Sequence, residues 1–131
     1  MKRISILIFF VALSSATIFF STGCVNNKKD ILFSGCDSTN VSYSKTIKPI
    51  LQNNCYSCHS TANGATLGGG TVLENHTNLI IWVDTAKGSD GGILVNDIKH
   101  TGNPMPKSAS KLSNCDIAKI SYWVNEGAKD N

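Results

Sequence analysis

The residues with the most chemistry in this chain are Cys55-Tyr56-Ser57-Cys58-His59. Two thiols three residues apart on a helical turn lie on one side of the chain. They can add across the two vinyl groups of a porphyrin, and the adjacent imidazole can project toward the iron as an axial ligand. C-x-x-C-H is the attachment signature of c-type haem. Three other uses of the same residues stand beside that one. The pair can be a thioredoxin-like redox couple, although no preceding strand or βαβ alternation surrounds it. It can be half of a zinc site completed by His76, His100 or Cys115, at spacings that match no regular finger. It can be a structural disulfide, in which case His59 follows it by coincidence.

Iron that only passes electrons takes a second axial ligand. Beyond the N-terminal segment the one methionine is Met105, set between Pro104 and Pro106. Each proline fixes its own φ and biases the residue before it toward an extended conformation, so a flexible thioether is carried on a stiff loop. Met105 is the expected sixth ligand, with His100 as its rival and His76 third. For both histidines the plainer reading is a surface or loop residue, and His100 has the further option of a hydrogen bond near the haem rim.

The elements that must position these groups are short. Ser44 or Thr46 can cap a helix in which Ile47, Ile50 and Leu51 share a face, with Pro49 in or near its first turn. Residues 60–72 (STANGATLGGGTV) are small and glycine-rich, and predict a loop. Leu73 to Val83 is helix or strand, its apolar run being too short to decide by period. Lys87 to Gly92 predicts a turn and Ile93 to His100 another short helix. The clearest element is the last. Ser113 followed by Asp116 resembles a capping box, Ile117, Ile120, Trp123 and Val124 repeat at helical spacing, and Gly127 stands where a helix would end. With no internal repeat, the predicted fold class is small and mostly α.

The first 23 residues are different in kind. Lys2 and Arg3 precede an apolar stretch from Ile4 to Phe20, and Ser21-Thr22-Gly23 runs up to Cys24. This is the layout of an export signal. It resembles a bacterial lipoprotein signal, which implies cleavage before Cys24 and a lipid on that cysteine; Ser21 stands where such signals usually have Leu. The alternatives are an uncleaved anchor, at the short end for a bilayer span, or simple secretion. All three place the rest of the chain outside the cytoplasm. Residues 24–35 are polar and aperiodic and predict a tether, leaving 36–131 as the domain.

Composition supports this division. The 131 residues carry 12 Lys+Arg against 9 Asp+Glu, a net +3, and are 41% hydrophobic. Four of the five Phe, the only Arg and one Lys fall in residues 1–23, so the remainder is less apolar and its net charge is about +1, too little for a basic nucleic-acid binder. The length leaves no room for a multidomain enzyme. Of five cysteines, one is assigned to lipid and two to haem, so Cys36 and Cys115 remain as an even pair in an oxidising compartment. A bond between them would close a loop of about 80 residues, worth up to roughly 4.5 kcal/mol by chain entropy. The alternative is two free thiols.

Taken together, these residues resemble a monohaem cytochrome c, and more narrowly the small lipoprotein-type cytochrome c domains of bacteria. The carriers are Cys36, Ile47-Lys48-Pro49-Ile50-Leu51 ahead of the Cys55–His59 motif, and Pro104-Met105-Pro106-Lys107. The run Lys111-Leu112-Ser113-Asn114-Cys115-Asp116, with Trp123 and Gly127-Ala128, completes them. The resemblance spans residues 36–131. It implies a helical domain wrapped around one covalent haem c, a first and last helix packed across each other, and His59 and Met105 on opposite haem faces. Family members often carry a proline soon after the motif whose carbonyl accepts from the ligand histidine. Here none lies between Pro49 and Pro104, and the first helix lacks the family's glycine and aromatic pair at its crossing point.

The expected function is single-electron transfer between redox partner proteins by a membrane-tethered, extracytoplasmic haem protein, not an enzyme. No paired acid and base mark a substrate site. Lys45, Lys48, Lys107 and Lys111 would either rim the haem edge and steer an acidic partner or simply serve solubility. The alternative is a haem-based gas sensor or minor peroxidase in which Met105 leaves the iron. A haem-free structural lipoprotein and a detached version of a domain usually fused to an enzyme are further readings.

Overall fold

The computed structural model of the chain describes residues 36–86, 89–107 and 109–131. The export segment 1–23, the lipidation site Cys24 and the tether 24–35 lie outside them. The described residues are mostly helical and contain no β-strand, in agreement with the fold class read from the sequence.

Ser42 opens the first element. Its Oγ accepts from the Lys45 N–H at 3.3 Å and caps a π-helical turn, Tyr43–Ile47, that runs into α1, Lys48–Asn54. The cap is therefore Ser42, not Ser44 or Thr46, and Pro49 accounts for the difference. Proline donates no hydrogen bond and its ring crowds the carbonyl four residues back, that of Lys45. The chain just ahead of it takes the wider spacing instead, with the Lys48 N–H donating to the Tyr43 carbonyl. Ile47 and Leu51 are fully buried and Ile50 packs against them.

A break at Cys55, which is off helical geometry, separates α1 from the single turn α2, Tyr56–His59. Between Leu73 and Val83 the chain is helical from His76 to Trp82. Asn75 caps α3, His76–Leu79, by accepting from the Asn78 N–H at 2.9 Å, and a 3-10 turn, Ile80–Trp82, follows. The exposure pattern shows why alternation fails there: Leu79 is buried but Ile81 is 72% exposed. Helix α4, Gly92–Lys99, buries Leu94, Val95 and Ile98.

Helix α5, Asn114–Asn125, follows its sequence signals closely. Ser113 Oγ accepts from the Asp116 N–H at 3.0 Å, and Ile117, Ile120, Trp123 and Val124 form the buried stripe. The helix ends at Gly127, whose φ of 95° is a left-handed conformation that costs glycine nothing. Ser113→Ala should lower stability by about 1 kcal/mol in urea unfolding, whereas Ser113→Thr, which keeps a hydroxyl to accept from the Asp116 N–H and donate to its carboxylate, should be close to neutral.

The first and last helical segments pack together. Tyr43 stacks on Trp123 with ring centroids 5.7 Å apart, and the Tyr43 and Ser44 N–H groups donate to the Asn131 side chain and carbonyl, each at 2.8 Å. His76 stands edge-on to both rings and its Nε2 donates to the Ala128 carbonyl at 2.6 Å. This histidine is thus a structural link of the core. Cys36 and Cys115 form a disulfide, Cα–Cα 5.5 Å, that fixes the start of the domain to the first turn of α5.

Candidate functional site

A cavity of about 670 Å³ opens beside α2. That volume lies within the range of small-molecule and cofactor pockets, roughly 300–1,000 Å³. Cys55, Cys58 and His59 line it from the motif, and Met105 lines it from the proline-flanked loop. The side chains of Leu73, Leu94, Ile98 and Leu112 bring the buried core up to it, and Trp82 adds a half-buried aromatic wall.

The local backbone explains how the motif is presented. The Cys55 N–H donates to Leu51 O at 2.7 Å and ends α1, while the His59 N–H donates to Cys55 O at 2.8 Å and closes the next turn. The thiols are both free and partly buried. Burial pushes the Cys55 thiol up to about 11, so at neutral pH it is protonated. A thioredoxin-like nucleophile needs the opposite shift.

His59 is held by the glycine-rich loop that follows it. Leu73 N–H donates to His59 O at 2.8 Å, and Thr61 N–H donates to Glu74 Oε2 at 2.6 Å, so residues 60–74 return to their start. This brings the Thr71 carbonyl 3.2 Å from His59 Nδ1. With a carbonyl as acceptor, Nδ1 carries the proton and Nε2 keeps its lone pair for a metal. Gly68 lets the segments around Cys58, His59 and Thr71 come together. A Cβ there would stand 2.8 Å from Cys58 O, His59 Nδ1 and Thr71 O alike.

No protein-family model, curated protein or solved structure matches this chain. The site is therefore read from its own residues.

The other candidates are placed elsewhere. Neither His76 nor His100 lines the cavity. His100 is exposed, with Nε2 donating to the Met105 carbonyl at 3.2 Å. Cys115 is bonded to Cys36, so the zinc partners considered for Cys55 and Cys58 are engaged in other roles; among the described residues no three His, Cys, Asp or Glu side chains are grouped so as to hold a metal ion by themselves. Of the four lysines considered for the rim, Lys107 lines the cavity, together with the exposed apolar side chains Leu67 and Ile93.

Sequence reasoning missed Thr71, Gly68, Asp97 and Trp82. Thr71 acts through its backbone, which no residue type advertises. Gly68 lies in a run of glycines that reads only as loop. Asp97 stands on a helix whose function was not marked, where its carbonyl accepts the Met105 N–H at 3.1 Å.

The donor set fits a covalent haem. Two thiols, one imidazole oriented by a carbonyl and one thioether line a single largely apolar cavity.

Proposed function

We propose that this chain is a membrane-tethered, extracytoplasmic monohaem cytochrome c that carries single electrons between redox partner proteins. The observation that carries the reading is the convergence of Cys55, Cys58, His59 and Met105, the last 46 positions from His59, on one cavity. Cys55 and Cys58 would hold the haem covalently through thioether links, and His59 and Met105 would ligate its iron. Bound there, the haem supplies a one-electron ferrous–ferric couple. The chain's own part is to hold the imidazole by the Thr71 carbonyl, to fix the Met105 backbone on Asp97, and to exclude water with Leu73, Leu94, Ile98 and Leu112. Thioether ligation and an apolar surround favour the ferrous state relative to a bis-histidine site. Attachment of lipid at Cys24 would keep the domain at the membrane surface.

Intact mass and an optical spectrum test this. Protein exported from a haem-maturing bacterial host should gain the mass of one haem, show the weak methionine–iron charge-transfer band when oxidised, and resist CO when reduced. Met105→Ala should keep the added mass, lose the band and bind CO readily. A wild type that binds CO at once would assign the chain to gas sensing or peroxidase chemistry. A wild type without added mass would return it to the haem-free readings.

A further inference from the structure

His100 occupies an expensive backbone position for its residue type. It caps the C-terminus of α4 with φ 62° and ψ 29°, the left-handed region in which a glycine meets no steric penalty. Its ring is exposed and lies outside the cavity wall. Packing therefore gives no reason for a histidine here. Its hydrogen bond does: Nε2 donates to the carbonyl of Met105 at 3.2 Å.

That bond completes a set. The N–H of Met105 donates to Asp97 O at 3.1 Å, and the N–H of Asn103 donates to Asp97 Oδ1 at 2.7 Å. The Thr101 and Gly102 N–H groups both donate to Asn96 O, at 2.9 and 3.2 Å. The loop is thus folded back onto the end of α4, and Met105 is held on both sides of its Cα: the amide by Asp97 and the carbonyl by His100.

We infer that His100 is a positioning residue for the Met105 thioether, an assignment that rests on the haem reading above. Met is a long side chain with many rotamers and a weak donor, so fixing its backbone removes part of the entropy that ligation must overcome. His100 itself reaches neither the cavity nor a ligand position.

Three proteins, all full length and exported with haem maturation, test the assignment: wild type, His100→Gly and His100→Gln. His100→Gly relieves the left-handed backbone and deletes the donor. His100→Gln keeps a donor at similar reach. The readouts are intact mass, thermal midpoint, hydrogen exchange at the Met105 amide and the rate of CO association with the ferrous protein. His100→Gly should keep its haem and a midpoint at or above that of wild type, while Met105 exchange and CO association each rise about fivefold, the equivalent of one neutral hydrogen bond. His100→Gln should return both rates close to wild type. Unchanged rates in His100→Gly, a fall in its midpoint that alone accounts for them, or no recovery in His100→Gln would overturn the assignment with the haem reading intact. A wild type lacking covalent haem is recognised by mass before any variant is compared, and removes both.

Discussion

Replacing Cys36 and Cys115 together by serine should lower the unfolding free energy by about 3–4 kcal/mol and, on the haem reading proposed above, leave the covalent haem content unchanged. The two halves of this expectation have separate causes. The disulfide joins residues 79 apart in sequence. Without it the unfolded chain regains the freedom of a loop of that size, for which chain entropy alone gives roughly 4.5 kcal/mol as a ceiling. Small domains have about 5–15 kcal/mol in total, so a large share of stability rides on one bond. At a slope of about 1.5 kcal/mol/M the urea midpoint would move down by roughly 2 M. Neither cysteine lines the cavity, and α5 keeps its own cap at Ser113 and its buried stripe. Haem attachment should therefore survive in the fraction that folds. A midpoint shift of less than about 0.5 M would mean that residual structure already restricts the reduced unfolded chain, so that the disulfide removes little further freedom.

Gly68→Ala should destabilise the domain by about 2–3 kcal/mol and also disturb His59. The new methyl carbon would lie 2.8 Å from three atoms, and two of them, Cys58 O and Thr71 O, are backbone. They cannot rotate aside as a flexible side chain would, so the loop must shift, at the usual cost of overpacking, roughly 1–3 kcal/mol. Any shift that relieves Thr71 O also stretches its bond to His59 Nδ1, now 3.2 Å. Losing such an orienting partner weakens a metal ligand by about 10–100-fold. On the proposed haem reading, the expected result is a protein that still carries haem on Cys55 and Cys58 but shows a mixed-spin optical spectrum. Gly70→Ala is the control. Its φ is +87°, a Cβ there meets nothing within 4 Å and the residue does not line the cavity, so strain of about 1 kcal/mol should appear without a spectral change. Equal spectra in the two variants would remove Gly68 from the support of His59.

The contrast between these sites shows which parts of the molecule were open to reading. Where a feature is set by neighbours along the chain, residue types and spacing were enough. The cap at Ser113, the stripe Ile117, Ile120, Trp123 and Val124, and the stop at Gly127 all lie within about four helical turns of one another, and their physics is local. The cap at Ser42 was missed for a local reason as well: the effect of Pro49 reaches back beyond the turn it occupies. The pairing of Cys36 with Cys115 was accessible by elimination, since a count does not need coordinates.

Roles that depend on a distant atom were not accessible. Three histidines with the same chemistry receive three tasks. His59 lines the cavity, His76 binds the last turn of the domain between Tyr43 and Trp123, and His100 holds the backbone of Met105. Nothing in their flanking residues distinguishes a ring that packs on tryptophan from one that reaches a carbonyl. The partner of His59 was still less legible, because it is the main-chain oxygen of Thr71, brought 12 residues back by the closure of a loop.

The amino-acid sequence by itself thus determined the helical class, the two thiols and imidazole on one turn, and the candidate thioether between prolines, because residue type and period act over a few residues. Only the tertiary structure decided that these four groups share one cavity, which histidines stand apart from it, and what holds His59 and Met105 in place. Those outcomes depend on where loops return, and loop closure is governed by backbone hydrogen bonds, which every residue type but proline can donate and accept and none announces.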